Sequence, residues 1–186
     1  MMTEYNIEAI KELAYSRPTI DQGYTNQMLS IDISSADISI KPVTNRVKET
    51  FIGGKGFDLW LLWNAVQSTT KWDDPENEIN ISSGPIGGIT QYSGSGKSLV
   101  VSISPQTNIP IDSNVGGFFG PFLKFSGFDA LEIQGKAKED VIVFIDGVNH
   151  KVEIYQAPIE PLDSHILAER LTEMYADDDK DRKNVS

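Results

Sequence analysis

Apolar and polar residues alternate along LSIDISSADISI. Leu29, Ile31 and Ile33 precede a Ser-Ser-Ala-Asp turn, and Ile38 and Ile40 follow it. A period of two places such side chains on one face of a strand, so the segment predicts a β-hairpin. Short apolar runs rich in β-branched residues predict further strands at Ile79–Ser82, Leu99–Ile103, Ala130–Ile133, Val141–Ile145 and Val152–Tyr155, the last two joined by the turn DGVNH. Helical spacing appears three times. Asn6 is placed to cap a short helix through Ala14, with Ile7, Ile10 and Leu13 on one face. Phe57 to Val66 has the apolar density of a buried helix, through Leu59, Trp60, Leu61, Leu62, Trp63 and Val66. Ser164 to Ala176 carries Ile166, Leu167, Leu171 and Met174 on one side. Arg17 to Gln27 reads as irregular, Asp73 to Asn77 as a turn, and Gly84-Pro85 with Gly87-Gly88 as a tight loop. Strands outnumber helices and do not alternate with them, which argues against a doubly wound parallel sheet. The expected class is α+β, a mainly antiparallel domain with a few helices.

Composition narrows the chemistry. A chain of 186 residues can bury one sizeable core. It has no cysteine, so it contributes no disulfide and no cysteine-held zinc or iron–sulfur cluster. Its net charge is −11, and no basic stripe interrupts it, so a nucleic-acid partner is not expected. No apolar run reaches the roughly 18 residues needed to span a bilayer, and the acidic start MMTEYNIEAIKELAYS lacks the features of a signal peptide. A cytoplasmic location without membrane attachment is expected. His150 and His165 stand apart in polar surroundings and read as solvated residues. The run DDDKDR at Asp177–Arg182 reads as a solvated, mobile tail, since it lacks the glycine and closing glutamate of a calcium loop.

Candidate chemistry concentrates in SNVGGFFGPFLKFSGFDALEIQGKA, Ser113 to Ala137. Gly116, Gly117 and Gly120 allow close approach of a backbone, and exposed N–H groups in such a turn form an anion-binding nest. The alternative is a tight turn with aromatic packing. Phe118, Phe119 and Phe125 read as core, and Asp129 as a hydrogen-bonding group at a strand start. SGSGKS at Ser93–Ser98 imitates a nucleotide-binding P-loop, but Gln91 stands where the first glycine belongs, and the β-branched LVVSIS follows where a helix is required. Nucleotide binding is therefore the weakest of the readings. No catalytic acid, base or nucleophile stands out.

Five blocks carry a family resemblance: FIGGKG (Phe51–Gly56), SSGPIGG (Ser82–Gly88), SGSGKSLVVSISPQT (Ser93–Thr107), the Ser113–Ala137 segment, and VIVFIDGVNHKVEI (Val141–Ile154). In this order they resemble the N-terminal domain of the aldehyde:ferredoxin oxidoreductase family, the tungsten-pterin enzymes. The resemblance implies two β-sheets against which the cofactor lies, and a division of the chain into an extension at 1–27, a tungstopterin-binding domain at 28–160, and a helix with acidic tail at 161–186. It further implies a tungsten atom held by two pterins whose phosphates are bridged by magnesium. Asn114 matches the asparagine whose main-chain carbonyl helps hold that magnesium. Gly116, and more weakly Gly117, match glycines whose backbone meets a pterin. Lys97 takes the place of an arginine that contacts the pterin phosphates. Lysine keeps the charge but not the bidentate fork.

In the family the [4Fe–4S] cluster is held by four cysteines in later domains. The resemblance therefore implies a partner chain or domains carrying that cluster, a ferredoxin-type electron acceptor and, as an option, a homodimer. Two origins fit: a split subunit, or a shortened piece of a longer polypeptide. The expected activity is oxidation of an aldehyde, or conversion of a related acyl substrate, by an assembly in which this chain supplies the cofactor base and is inactive alone. The competing reading is a cofactor-free scaffold that keeps the fold.

Overall fold

The computed structural model describes residues 8–157 and 163–186. Its strands are β1 (Ala9–Ala14), β2 (Gln27–Asp32), β3 (Asp37–Pro42), β4 (Glu78–Ser82), β5 (Ser98–Ile103), β6 (Pro110–Val115), β7 (Ala130–Gln134), β8 (Val141–Asp146) and β9 (Lys151–Gln156). Its helices are α1 (Asn45–Phe51), α2 (Lys55–Ala65), α3 (Phe119–Ser126) and α4 (Ser164–Tyr175). A six-stranded sheet runs in the order β3-β2-β7-β4-β5-β6, and a three-stranded sheet in the order β1-β9-β8. All neighbours are antiparallel except β2 and β7, which run parallel. The expected α+β class and two-sheet plan hold.

Alternation in β2 shows how the layers form. Leu29 and Ile31 face the smaller sheet and join Leu131, Phe128, Leu123, Val152 and Ile154 in the main core. Met28 faces the other way and packs with Val43, Val47, Phe57, Leu61 and Ala130 beneath α1 and α2. Leu62 continues that second layer over Val101 and Ile103. The large sheet is thus covered by a sheet on one face and by helices on the other.

Several sequence expectations need correction. Ala9–Ala14 is a strand paired with β9, not a helix. The i, i+3 spacing of Ile10 and Leu13 is real, but backbone pairing to β9 outweighs local preference. Asn6 and Ile7 lie outside the described residues. The helix expected at Phe57–Val66 forms, yet Trp63 is 83% exposed, so its burial is one-sided. Phe118 and Phe125 are also exposed rather than core. The pattern gave no sign of α1, β6 or α3. The acidic tail is exposed but folds back, with Arg182 paired to Glu169 and Glu173 of α4. Among the described residues, no helix is long and apolar enough to cross a membrane.

Candidate cofactor-binding face

The β5–β6 ladder places the sequence-derived site residues. Leu99 lies opposite Asn114 and Ser98 opposite Val115, so continuation of the register sets Lys97 against Gly116 and Gly96 against Gly117. Contact between the last pair is close: a β-carbon on Gly96 would sit 2.7 Å from the Gly117 carbonyl oxygen. The structure therefore brings Lys97, Asn114, Gly116 and Gly117 together at one corner of the large sheet, and all four are exposed. The β5 strand begins directly after Lys97, so the helix that a P-loop requires is absent there. Asn114 is on β6, the edge strand, where alternate backbone groups point away from β5.

The same corner gathers three glycine-rich turns. One row across the sheet runs Met28, Ala130, Ser82, Leu99, Asn114, and cross-strand neighbours share a face. Asn114 therefore lies on the side covered by α1 and α2. The Gly53-Gly54 turn that opens α2 reaches this row: the Ser82 hydroxyl donates to the Gly54 carbonyl at 2.8 Å, and a β-carbon on Gly54 would meet Leu99 at 3.3 Å. The 83–97 loop is stitched to α3 and its approach, because Gly88 packs on the Phe125 ring and Gly120 packs on Ser98.

Charge is distributed unevenly. In a chain with 27 acidic and 16 basic residues, Asp112 is the sole acid between positions 79 and 128. Three lysines serve this end of the sheet. Lys124 is buried, with its ammonium on Asp129 Oδ1 at 2.6 Å and on the Gly23 carbonyl at 2.8 Å. Asp129 also accepts the Thr25 and Asn26 backbone N–H groups, which locks α3 to the start of β2 and bears out its expected structural role. Lys55 and Lys97 are exposed, and Lys55 pairs with Asp112 at 2.6 Å.

Sequence reasoning passed over Asp58. It sits in the first turn of α2, fully buried, and neither carboxylate oxygen has a hydrogen-bond partner among the described residues. Burial pushes its carboxyl up to about 7, and the neighbouring Ser82 offsets this only in part, since its hydroxyl is spent on the Gly54 carbonyl. The Asn80 side-chain oxygen and the Ser98 hydroxyl are likewise buried without partners.

The candidate residues thus share one glycine-lined, acid-poor corner at the edge of a two-sheet α+β domain. Residues 28–185 match the N-terminal domain of aldehyde ferredoxin oxidoreductases, and the chain belongs to that family. It is 30% identical over 154 residues to the tungsten-containing aldehyde ferredoxin oxidoreductase of Pyrococcus furiosus, covering 83% of this chain and 24% of that protein. It is 32% identical to the aliphatic sulfonate oxidoreductase WOR-like subunit of the same organism, covering 72% of this chain and 21% of that one. Among solved structures it is similar to the active-site complex BamBC of benzoyl-coenzyme A reductase in complex with 1,5-dienoyl-CoA, with a TM-score of 0.76, 30% identity, and coverage of 81% of this chain and 23% of that one. The chain thus spans about a quarter of the length of the relatives it matches.

Gly116 tests whether the corner fits a bound group. Its φ is not in the left-handed region, and a β-carbon there would meet nothing within 4 Å. The fold gives no internal reason for glycine at this position, whereas a group packed directly on the backbone does. With the Lys97 ammonium opposite and the Asn114 carbonyl two residues away, a cation and open backbone meet where an anionic group would fit.

Proposed function

We propose that this chain is the tungstopterin-binding N-terminal domain, or a split subunit, of an aldehyde:ferredoxin oxidoreductase-like enzyme. The observation that carries the reading is the pairing of Lys97 with Gly116 beside Asn114, where neither φ nor crowding requires glycine at position 116. The tungsten bis-pterin supplies two-electron redox chemistry when bound, and the protein supplies position and electrostatics. Lys97 attracts the pterin phosphates as a point charge. The Asn114 main-chain carbonyl would help hold a magnesium ion, and Gly116 and Gly117 would leave the backbone open to a pterin.

The substrate is an aldehyde oxidised to its acid, or a related acyl compound. Electrons leave through an iron–sulfur partner toward a ferredoxin-type acceptor, because the cysteine-free chain cannot hold the cluster. Cytoplasmic location and anaerobic metabolism belong to the same reading. Native purification with elemental analysis tests it. Tungsten together with a cysteine-rich partner is the expected result, and Lys97→Ala is expected to lower tungsten content while the fold persists. Equal tungsten in the Lys97→Ala assembly would remove the assignment.

A further inference from the structure

The Lys55–Asp112 pair shares a face with Lys97 and Asn114. Asp112 and Asn114 are alternate residues of β6, so they lie on one side of the strand about 7 Å apart. The ladder extends that strip, with Asp112 opposite Val101, Asn114 opposite Leu99, and Gly116 in line with Lys97. Lys55 enters the strip from the Gly53-Gly54 turn, and its ammonium meets Asp112 Oδ1. The two side chains are 53% and 31% exposed, so solvent screens the pair and it contributes little to folding. The helix does not depend on it, since Phe57, Leu61 and Leu62 anchor α2 to the sheet. With Lys124 neutralised by Asp129, Lys55 and Lys97 are the two exposed lysines of this corner.

We infer that Lys55 is a second cationic contact for the phosphate-bearing group placed on Lys97 and Asn114, and that Asp112 holds its ammonium in reach until the anion takes over. The inference rests on the functional reading above and adds a residue to it. A diphosphate spreads its charge over several oxygens, and one lysine point charge cannot meet them all. A carboxylate beside such a lysine keeps the side chain positioned and competes with the incoming anion.

Inorganic pyrophosphate without divalent metal is the probe, titrated calorimetrically into the chain at low ionic strength. Lys55→Met and Lys97→Met are each expected to weaken binding by about tenfold, a change of roughly 1.4 kcal/mol. Lys55→Arg is expected to retain binding, and Asp112→Asn to tighten it, whereas a purely structural ion pair would give loss of stability with no gain in affinity. Thermal midpoints of all four variants are expected to match the parent chain. If Lys97→Met weakens binding while Lys55→Met binds like the parent, the role of Lys55 is overturned and the site reading stands. If the parent chain does not bind pyrophosphate, or Lys97→Met has no effect, the site reading fails and this inference fails with it.

Discussion

Gly116 and Gly117 are neighbours with opposite requirements. Gly117 has φ +96°, a conformation that L side chains rarely adopt, so the turn itself needs glycine. Gly116 carries no such demand and has open space beside it. Gly117→Ala is therefore expected to destabilise the fold by about 1 kcal/mol or more, while Gly116→Ala is neutral or stabilising by up to about 1 kcal/mol. Urea unfolding of the two variants checks this. A large loss for Gly116→Ala would mean that the fold, and not a bound group, explains that glycine. Lys124 and Asp129 make the complementary case, in which burial makes one pair decisive. Their side chains are 2% and 1% exposed, so Asp129→Ala strands an ammonium in the interior and leaves two backbone N–H groups without an acceptor. The expected cost is about 3–5 kcal/mol, read as a lower midpoint in thermal or urea unfolding. A loss below about 1 kcal/mol, the range of an exposed pair, would show that water reaches this site.

At the scale of elements, the contact between α2 and the sheet is where stability responds to pH. Along β4, Glu78, Asn80 and Ser82 are buried on one face, and Asp58 of α2 lies beside Ser82. On neighbouring strands Glu132 faces the same layer, with Lys41 bonded to it. Burial and the adjacent Glu132 charge push Glu78 up, while Lys41 and Ser30 hold Glu132 below the usual range despite its burial. Asp58 is raised from 3.8 to about 7. Between those values the folded chain keeps a proton that the unfolded chain has released, so protons favour folding and stability falls as pH rises through that window. The full fall from Asp58 is on the order of 4 kcal/mol at most. Asp58→Asn is expected to flatten the decline between about pH 4 and pH 7, and to unfold at higher urea than the parent above it. Identical slopes in the two proteins would show that Asp58 is ionised and solvated in the native state. The hairpin was legible because its alternation matches its burial, and five further strands, α2 and α4 were legible from their apolar runs, although Leu59 and Trp63 of α2 and Ile166 of α4 face solvent. The site residues were legible as blocks, and their meeting follows from the β5–β6 register. Asp58 was not legible, since an acid in the first turn of a helix ordinarily faces solvent and favours the dipole. The edge strand β6, polar at Asp112–Asn114, and the short helix α3, broken by Gly120 and Pro121, lack any clean period. The strand β1 carries no local strand signal, because its partner β9 lies far along the chain.

At the scale of the molecule, the glycine-lined corner presents apolar side chains that a chain on its own leaves in water. Ile86, Tyr92 and Phe118 are 53%, 61% and 66% exposed, and all three lie in the loops that surround Lys97 and Gly116. Each belongs to a segment free of acidic residues in a strongly acidic chain, and although Phe118 stacks on Phe122, most of its surface stays in water. Clustered exposed apolar groups of this kind mark an interface. The chain covers 24% and 21% of the matched relatives, and we propose that the remaining part of such an enzyme occupies that face. Hydrogen exchange offers a direct measure. In the isolated chain, the amides of residues 84–97 and 116–118 are expected to exchange quickly, because bonds within the loop, and no helix or sheet ladder, hold them. In the natively purified assembly they are expected to slow, whereas amides of β8 and β9 on the far sheet stay as they were. Phe118→Ser is expected to weaken the assembly without lowering the stability of the chain, since an exposed ring contributes little to its core. If exchange in these loops is the same alone and in the assembly, or if the isolated chain turns over substrate as fast as the assembly does, then this face is not where the rest of the enzyme sits.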